Sequence, residues 1–135
     1  DGSRIHAAGA LSAFGDTVTG AIVRLQHYGA LDASFVSGTG PNSSVYAIAE
    51  DPFTNELVIG GIFTSYAGNT AATRLAKVAK TGTLSDQFAI GAGANADIWA
   101  IHVDGSRIHA AGALSAFGDT VTGAIVRLQH YGALD

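Results

Sequence analysis

Residues 1–32 read DGSRIHAAGALSAFGDTVTGAIVRLQHYGALD, and residues 104–135 repeat the same letters without a substitution. The offset between the two copies is 103 residues. Self-similarity at a fixed spacing is the signature of repeat architectures, in which each unit buries its apolar surface against its neighbours. We therefore expect an array of similar units rather than one irregular domain.

A second, more divergent repeat lies inside this period. It aligns residues 45–97 with residues 98–135 followed by residues 33–44. The two aligned stretches share the pattern Gly-x-Gly-x-Asn at Gly38–Asn42 and Gly91–Asn95. The predicted divisions are residues 1–44 as the C-terminal part of a type B unit, residues 45–97 as a complete type A unit, and residues 98–135 as the N-terminal part of a type B unit, in which residues 104–135 repeat residues 1–32.

Each unit is predicted to contain four short strands. β-Branched and aromatic residues alternate with turn signals, and Gly interrupts every candidate helix. The predicted type A strands are Val45–Glu50, Glu56–Thr64, Arg74–Ala79 and Gln87–Ile90. The predicted type B strands are Ile98–Val103, Arg107–Ser115, Ala124–Gln129 and Ser34–Ser37. The predicted turn glycines are Gly2, Gly82, Gly105 and Gly132.

The size of the unit indicates the architecture. A four-stranded unit of ~50 residues is the size of a β-propeller blade. We predict an all-β fold of tandem four-stranded antiparallel blades, arranged either as a propeller or as an open superhelical array. Large apolar residues recur at equivalent positions and are predicted to pack between blades. They are Tyr46 and Trp99, Phe63 and Leu114, and Phe88 and Phe35.

Basic residues occupy one repeated position in the third strand, in a unit otherwise poor in charge. They are Arg24, its copy Arg127, and Lys77. Two interpretations stay open at this point: a solvated edge, or a structural ion pair with an Asp of the neighbouring blade.

Composition excludes several classes of function. The formal net charge is −4 and the seven basic residues are scattered, which argues against a nucleic-acid partner because phosphate binding needs clustered Lys and Arg. The chain has no Cys, which excludes disulfides and thiolate metal sites. The longest apolar runs, such as Leu57–Phe63, are too short to span a bilayer, so no membrane insertion is expected.

No motif indicates catalysis, and no catalytic residue, cofactor or metal site is predicted. The histidine side chains are expected to point to opposite faces of the sheet, so they do not supply the convergent ligands that a metal ion needs. Glu50, Asp51 and Glu56 flank one hairpin and are an alternative calcium site, but the equivalent Asp-Gly-Ser hairpin lacks these partners.

The residue pattern resembles a known family. Residues 57–88 read LVIGGIFTSYAGNTAATRLAKVAKTGTLSDQF, and residues 11–35 read LSAFGDTVTGAIVRLQHYGALDASF. Both resemble the delta-60 repeat, with its Gly strand, Arg-Leu strand and Gly-x-Leu-Asp-x-x-Phe ending. Ser85-Asp86 is shifted against Leu31-Asp32. The resemblance implies propeller-like blades of large, mostly bacterial, secreted or cell-surface proteins, and it implies no catalytic activity.

These observations favour a structural and adhesive repeat module of a long extracellular fibre or surface protein. Its expected partners are copies of itself, in adjacent modules or in a filament. The alternative is a closed β-propeller of six or eight blades that binds a ligand or surface glycans in pockets near Tyr28, Tyr66 and Trp99. A hydrolase propeller is the weakest of the three interpretations.

Overall fold

The computed structural model describes residues 2–135, and the regular structure of these residues consists of strands without a helix. The strands are β1 (Arg4–Ala8), β2 (Ala13–Phe14), β3 (Thr17–Val18), β4 (Ile22–Gln26), β5 (Val45–Asp51), β6 (Glu56–Gly61), β7 (Leu75–Val78), β8 (Ile98–Asp104), β9 (Arg107–Gly112), β10 (Ala116–Phe117), β11 (Thr120–Val121) and β12 (Ile125–Gln129). The prediction of an all-β fold is confirmed. The sheets are small and antiparallel, and none of them closes on itself. Residues 2–135 contain no helix long and apolar enough to cross a membrane.

The strands form three units, which we number in chain order as unit 1 (residues 2–44), unit 2 (residues 45–97) and unit 3 (residues 98–135). Unit 2 is a meander in which β6 lies between β5 and β7. Unit 3 repeats the meander with β9 between β8 and β12, and inserts the short hairpin of β10 and β11. Unit 1 contains the equivalent pair β1–β4 and the equivalent hairpin of β2 and β3. The repeat in the sequence is thus a repeat in the backbone.

Turn chemistry explains how the first two strands of a unit connect. In unit 3, Gly105 follows Asp104 with a φ of 57°, a left-handed conformation that Gly adopts at no steric cost. In unit 2 the turn is longer, and Asn55 takes the left-handed position with a φ of 60°. The Asp51 carboxylate accepts the Phe53 N–H at 2.9 Å and fixes the start of this turn.

The fourth strand predicted for each unit is not formed, which corrects the expected four-stranded sheet to a three-stranded meander. Residues 87–90 and residues 34–37 contain no strand. One bridging pair remains in unit 2, between Val78 and Leu84. The segment then leaves its own sheet, because its backbone binds the next unit, as described below.

A β-bulge interrupts the first strand of two units. The register of β5 against β6 shifts between Val45 and Ala47, and that of β8 against β9 shifts between Ile98 and Ala100. The extra residues are Tyr46 and Trp99. A bulge redirects side chains locally, and it leaves both rings exposed.

The core consists of two layers between neighbouring units. In β6, Leu57 and Ile59 pack toward unit 1, whereas Val58 packs toward unit 3, as the alternation of side chains along a strand requires. The sheet of unit 2 is therefore apolar on both faces. The layer between units 1 and 2 contains Ala21, Ile22, Val45, Leu57, Ile59, Phe63, Tyr66, Ala72, Ala76 and Val78. The layer between units 2 and 3 contains Val58, Leu75, Ile90, Ala94, Ile98, Ile108, Ala110, Leu114, Phe117, Val126 and Leu128.

Candidate functional site: the interface between units

The most regular feature of the molecule is the contact that each unit makes with the next, which we call the stacking interface. It occurs between units 1 and 2 and again between units 2 and 3. On one side it is built from the third strand of a unit and the segment that follows. On the other side it is built mainly from the turn after the third strand of the next unit.

A backbone hydrogen bond joins the two units at the same place in both junctions of the stacking interface. The Val36 N–H donates to the Thr81 carbonyl at 2.7 Å, and the Ala89 N–H donates to the Tyr131 carbonyl at 2.8 Å. The side chains at these positions differ between the junctions, but the backbone contact is the same. This contact holds the segment predicted as a fourth strand away from its own sheet.

Two of the predicted turn glycines lie in this contact. Gly82 and Gly132 have φ values of 96° and 100°, in the left-handed region. A Cβ on Gly82 would lie 2.6 Å from the Val36 carbonyl carbon, and a Cβ on Gly132 would lie 2.7 Å from the Ala89 oxygen. Both positions therefore need Gly for two reasons, the backbone conformation and the close approach of the preceding unit. The other two predicted turn glycines, Gly2 and Gly105, have no atom within 4 Å of such a Cβ.

A basic side chain crosses the stacking interface at each junction. Arg24 of unit 1 donates through its guanidinium to the Lys80 carbonyl of unit 2. Lys77 of unit 2 donates through Nζ to the His130 carbonyl of unit 3. Each cation reaches the backbone residue at the same place in the next unit.

An aromatic ring supports each of these cations. The Arg24 guanidinium carbon lies 5.6 Å from the centre of the Phe35 ring, and Lys77 Nζ lies 5.3 Å from the centre of the Phe88 ring. Cations are attracted to the faces of aromatic rings at these distances. Phe35 and Phe88, both half-buried, thus take part in the interface for which the sequence predicted them.

Unit 1 balances its cation with the buried carboxylate of Asp32. Arg4 Nε donates to Asp32 Oδ2 at 2.7 Å and Arg24 Nε donates to the same oxygen at 3.0 Å. Asp32 Oδ1 accepts from the Ser34 hydroxyl at 2.6 Å and from the Ser34 N–H at 3.0 Å. The hydrogen bonds from Ser34, followed by the hydrogen bond from Arg4 and the charge of Arg24, outweigh the effect of burial and hold the pKa of Asp32 well below its usual range.

Unit 2 balances its cation with a carboxylate from a different hairpin. Ser85 occupies the position of Asp32, and the charge is supplied by Asp51, at the end of β5. Lys77 Nζ donates to Asp51 Oδ2 at 2.6 Å, and both side chains are buried. Burial acts to raise the pKa of Asp51, but the hydrogen bonds from Lys77, Phe53 and Thr54 outweigh it and lower that pKa.

Unit 3 carries the same ion pairs as unit 1 in an open setting. Arg107 Nε lies 3.1 Å from Asp135 Oδ2, and Arg127 Nε lies 2.5 Å from the same oxygen. The Arg127 side chain is 57% exposed, whereas its copy Arg24 is 11% exposed. For Arg24 and Lys77 both interpretations are corrected: the side chains are largely removed from solvent, the ion pair lies within one unit, and the neighbouring unit offers a backbone carbonyl instead of an Asp. Arg127 stays largely exposed.

An Asn side chain binds the backbone of the next unit at each junction. Asn42 Oδ1 accepts the Thr64 N–H at 2.8 Å, in the loop after β6 of the next unit. Asn95 Oδ1 accepts the Ser115 N–H at 2.9 Å, in the equivalent loop of unit 3. The sequence carried the signal for this contact in the repeated Gly-x-Gly-x-Asn pattern, but its role in joining units is visible only in the structure.

The three predicted pairs of packing residues have different positions. Phe63 and Leu114 are buried, one in each layer of the core. Tyr46 is 50% exposed and Trp99 is 57% exposed, so the packing between units predicted for these two is corrected. The bulge in each first strand is the physical reason, since it turns the extra residue outward.

The alternative sites have little support from the geometry. The described residues contain no group of three or more side chains able to hold a metal ion. In the hairpin considered for calcium, Asp51 binds Lys77 and Glu50 binds Lys80 at 2.6 Å. Tyr66, considered as a pocket residue, is buried and its hydroxyl donates to the Gly82 carbonyl at 2.6 Å.

Comparison with known proteins adds no family: no protein-family model matches the chain, and no curated protein matches it.

Proposed function

We propose that the chain is a structural and adhesive repeat module of a long extracellular fibre or surface protein, with units of blade type stacked at a period of 103 residues. The observation that carries the proposal is that the stacking interface occurs twice. Both junctions contain the backbone hydrogen bond, the close-packed Gly, the cation on a carbonyl and the Asn side chain. A contact that recurs between successive units is the physical requirement for a tandem array.

Two properties of the chain support a structural role over a catalytic one. The three charged side chains that are buried, Asp32, Asp51 and Lys77, each form an ion pair. The large apolar side chains in the core lie in the layers that hold one unit to the next. Cell-surface or extracellular location is part of the proposal and follows from the delta-60 resemblance.

The alternative is a closed β-propeller of six or eight blades that binds a ligand or glycan. One observation favours it: Tyr46 and Trp99 are exposed at equivalent positions of neighbouring units, on bulges. Exposed aromatic rings at a regular spacing offer apolar faces to sugar rings. An even number of blades is needed because each period contains two units.

Chains with one, two and four periods of 103 residues distinguish these functions. For a fibre, we expect the length seen by electron microscopy to increase in proportion to the number of periods. For a propeller, we expect compact rings and no increase once six or eight units are present. Binding of the same chains to a glycan array, lost in the Trp99→Ala variant, would favour the alternative.

A further inference from the structure

A cavity lies beside the third strand in unit 1 and in unit 2, and equivalent positions line it in both. In unit 2 it has a volume of about 390 Å³ and lies between β7 and residues 84–91. In unit 1 it has a volume of about 220 Å³ and lies between β4 and residues 31–38. Unit 2 contains all its segments and has a unit on each side, and the cavity is open there.

Two positions contribute to the difference in size. Val23 and Val36 line the cavity of unit 1, and Ala76 and Ala89 take their places in unit 2. Each replacement removes two methyl groups from the wall. The cavity of unit 2 therefore has more room for a bound group.

This cavity occupies the place at which a fourth strand would pair with β7. Residues of an antiparallel pair point their backbone groups alternately toward the partner strand and away from it. The Arg74 carbonyl accepts from the Gly61 N–H on the side of β6, whereas the Lys77 carbonyl accepts from the Ser85 N–H on the opposite side. Leu75 lies two residues before Lys77, so its N–H and C=O also point away from β6 and toward the cavity.

Among the described residues, none pairs with Leu75 on that side. The pairing along this edge ends at Ser85. The next position in register is Gln87, but the chain has left the sheet there, since the Ala89 N–H donates to the Tyr131 carbonyl of unit 3. An unpaired strand edge is a template for an extended chain.

The walls of the cavity are apolar, and one negative charge lies at its rim. Ile90 is buried, and Leu84 and Phe88 are half-buried. Asp86 is exposed and forms no ion pair within the described part of the chain. Lys77, the cation in the wall, is buried and already paired with a carboxylate. The rim therefore favours a positively charged partner.

We propose that this cavity binds an extended peptide segment of a partner protein. The peptide backbone takes the place of the fourth strand and exchanges hydrogen bonds with the N–H and C=O of Leu75. An aliphatic side chain fills the space among Leu84, Phe88 and Ile90, and a Lys or Arg side chain lies near Asp86. Main-chain hydrogen bonds combined with side-chain pockets are a common mode of peptide recognition. The inference goes beyond the proposed function, because the partner is a different protein, and neither depends on the other.

The probe for this site is the peptide acetyl-Lys-Thr-Val-Thr-Val-Thr-Lys-amide, titrated into the nitrogen-15-labelled chain and followed by NMR. We expect the Leu75 N–H to shift and to exchange more slowly with solvent as the peptide binds, because it gains an acceptor. The same peptide with Pro in place of both Val residues lacks two backbone donors. It should bind about tenfold more weakly or worse.

Two variants test the walls, and unit 1 supplies both replacements. Ala89→Val introduces the residue found at Val36 and should weaken binding, because it narrows the cavity. Asp86→Ala introduces the residue found at Ala33 and should weaken binding about two- to fivefold at low salt, with a smaller loss at high salt. Asp119→Ala is the matched control, since it removes an exposed carboxylate from the turn between β10 and β11, and it should bind the peptide like the parent chain.

Three results would overturn the inference. They are a Leu75 N–H that does not respond to millimolar peptide, equal binding of the Pro-containing peptide, and equal binding by the Asp86→Ala and Asp119→Ala variants when their NMR spectra show folded chains. None of these results affects the lengths expected for chains with one, two and four periods, so the proposed fibre is tested separately.

Discussion

The identical copies at residues 1–32 and 104–135 allow one substitution to be made twice in the same local sequence. Ile22 is 1% exposed and its copy Ile125 is 63% exposed. We expect Ile22→Ala to lower the free energy of unfolding by about 2–5 kcal/mol, the usual cost of truncating a buried Ile. Roughly a third of the Ile125 side chain is removed from water. We therefore expect Ile125→Ala to cost about 1 kcal/mol or less.

The second pair of copies should show the opposite order. Ile108 is 0% exposed, so Ile108→Ala should again cost about 2–5 kcal/mol. Its copy Ile5 is 47% exposed, and truncation there should cost roughly 1 kcal/mol. The large effect thus falls on the first copy for one Ile and on the second copy for the other. This crossed pattern follows from what covers each copy in the fold, since the two local sequences are identical.

Urea denaturation measures all four costs. Far-UV circular dichroism follows the whole chain, and the fluorescence of Trp99, the one Trp, follows unit 3. The slope of the free energy against urea concentration must be the same in all variants for the comparison to hold. Low protein concentration keeps separate chains apart. Equal costs for the two members of either pair would refute the reasoning, because the cost of truncation would then not follow the burial of the side chain.

Three further results are expected. Lys77→Met should lower the free energy of unfolding in urea by about 3–5 kcal/mol, because it leaves the buried carboxylate of Asp51 without its cation. Lys80→Met removes a partly exposed ion pair and should cost about 1 kcal/mol or less. Similar costs for the two variants would contradict the assignment of Lys77 to a buried ion pair. Gly132→Ala should raise the unfolding rate and lower the stability more than Gly29→Ala does. Both glycines have a positive φ, but only Gly132 lies against the preceding unit. Equal losses of stability in the two variants would rule out the close approach at Gly132. Burial, followed by a nearby guanidinium, lowers the pKa of His6 from 6.5. The unfolded chain then binds more protons than the folded chain, so the free energy of unfolding should fall as the pH drops below about 6.5. His6→Gln should reduce this pH dependence in urea titrations at several pH values. An unchanged pH dependence in the variant would exclude His6 as its source.

Periodicity and turn chemistry made much of the fold predictable. The all-β class, the strands β5, β6 and β7 of unit 2, and the strands β8, β9 and β12 of unit 3 follow from signals within about ten residues of one another. Gly82 and Gly132 were found for the same reason, since a turn after a third strand needs a left-handed residue. Their close contact with the preceding unit was not predictable, because it depends on how units are placed in space.

Contacts between strands and between units explain where the sequence led to the wrong expectation. Gln87–Ile90 has the composition of a strand, but the Ala89 N–H binds unit 3 in place of its own sheet. Tyr46 and Trp99 have the composition of packing residues, but a bulge directs them outward. A bulge depends on the register between two strands, and neither strand's sequence determines that register alone.

The two types of unit reach the same interface by different routes, and this difference indicates which part of the interface matters. Unit 1 takes its buried carboxylate from Asp32, after the third strand, and unit 2 takes it from Asp51, in the first hairpin. The cation position does not move: Arg24 and Lys77 each reach a carbonyl at the same place in the next unit. A buried cation needs a carboxylate partner, but the location of that partner has changed between units. The charged hydrogen bond between units is present at both junctions although its carboxylate partner has moved, as expected if the sequence preserves stacking.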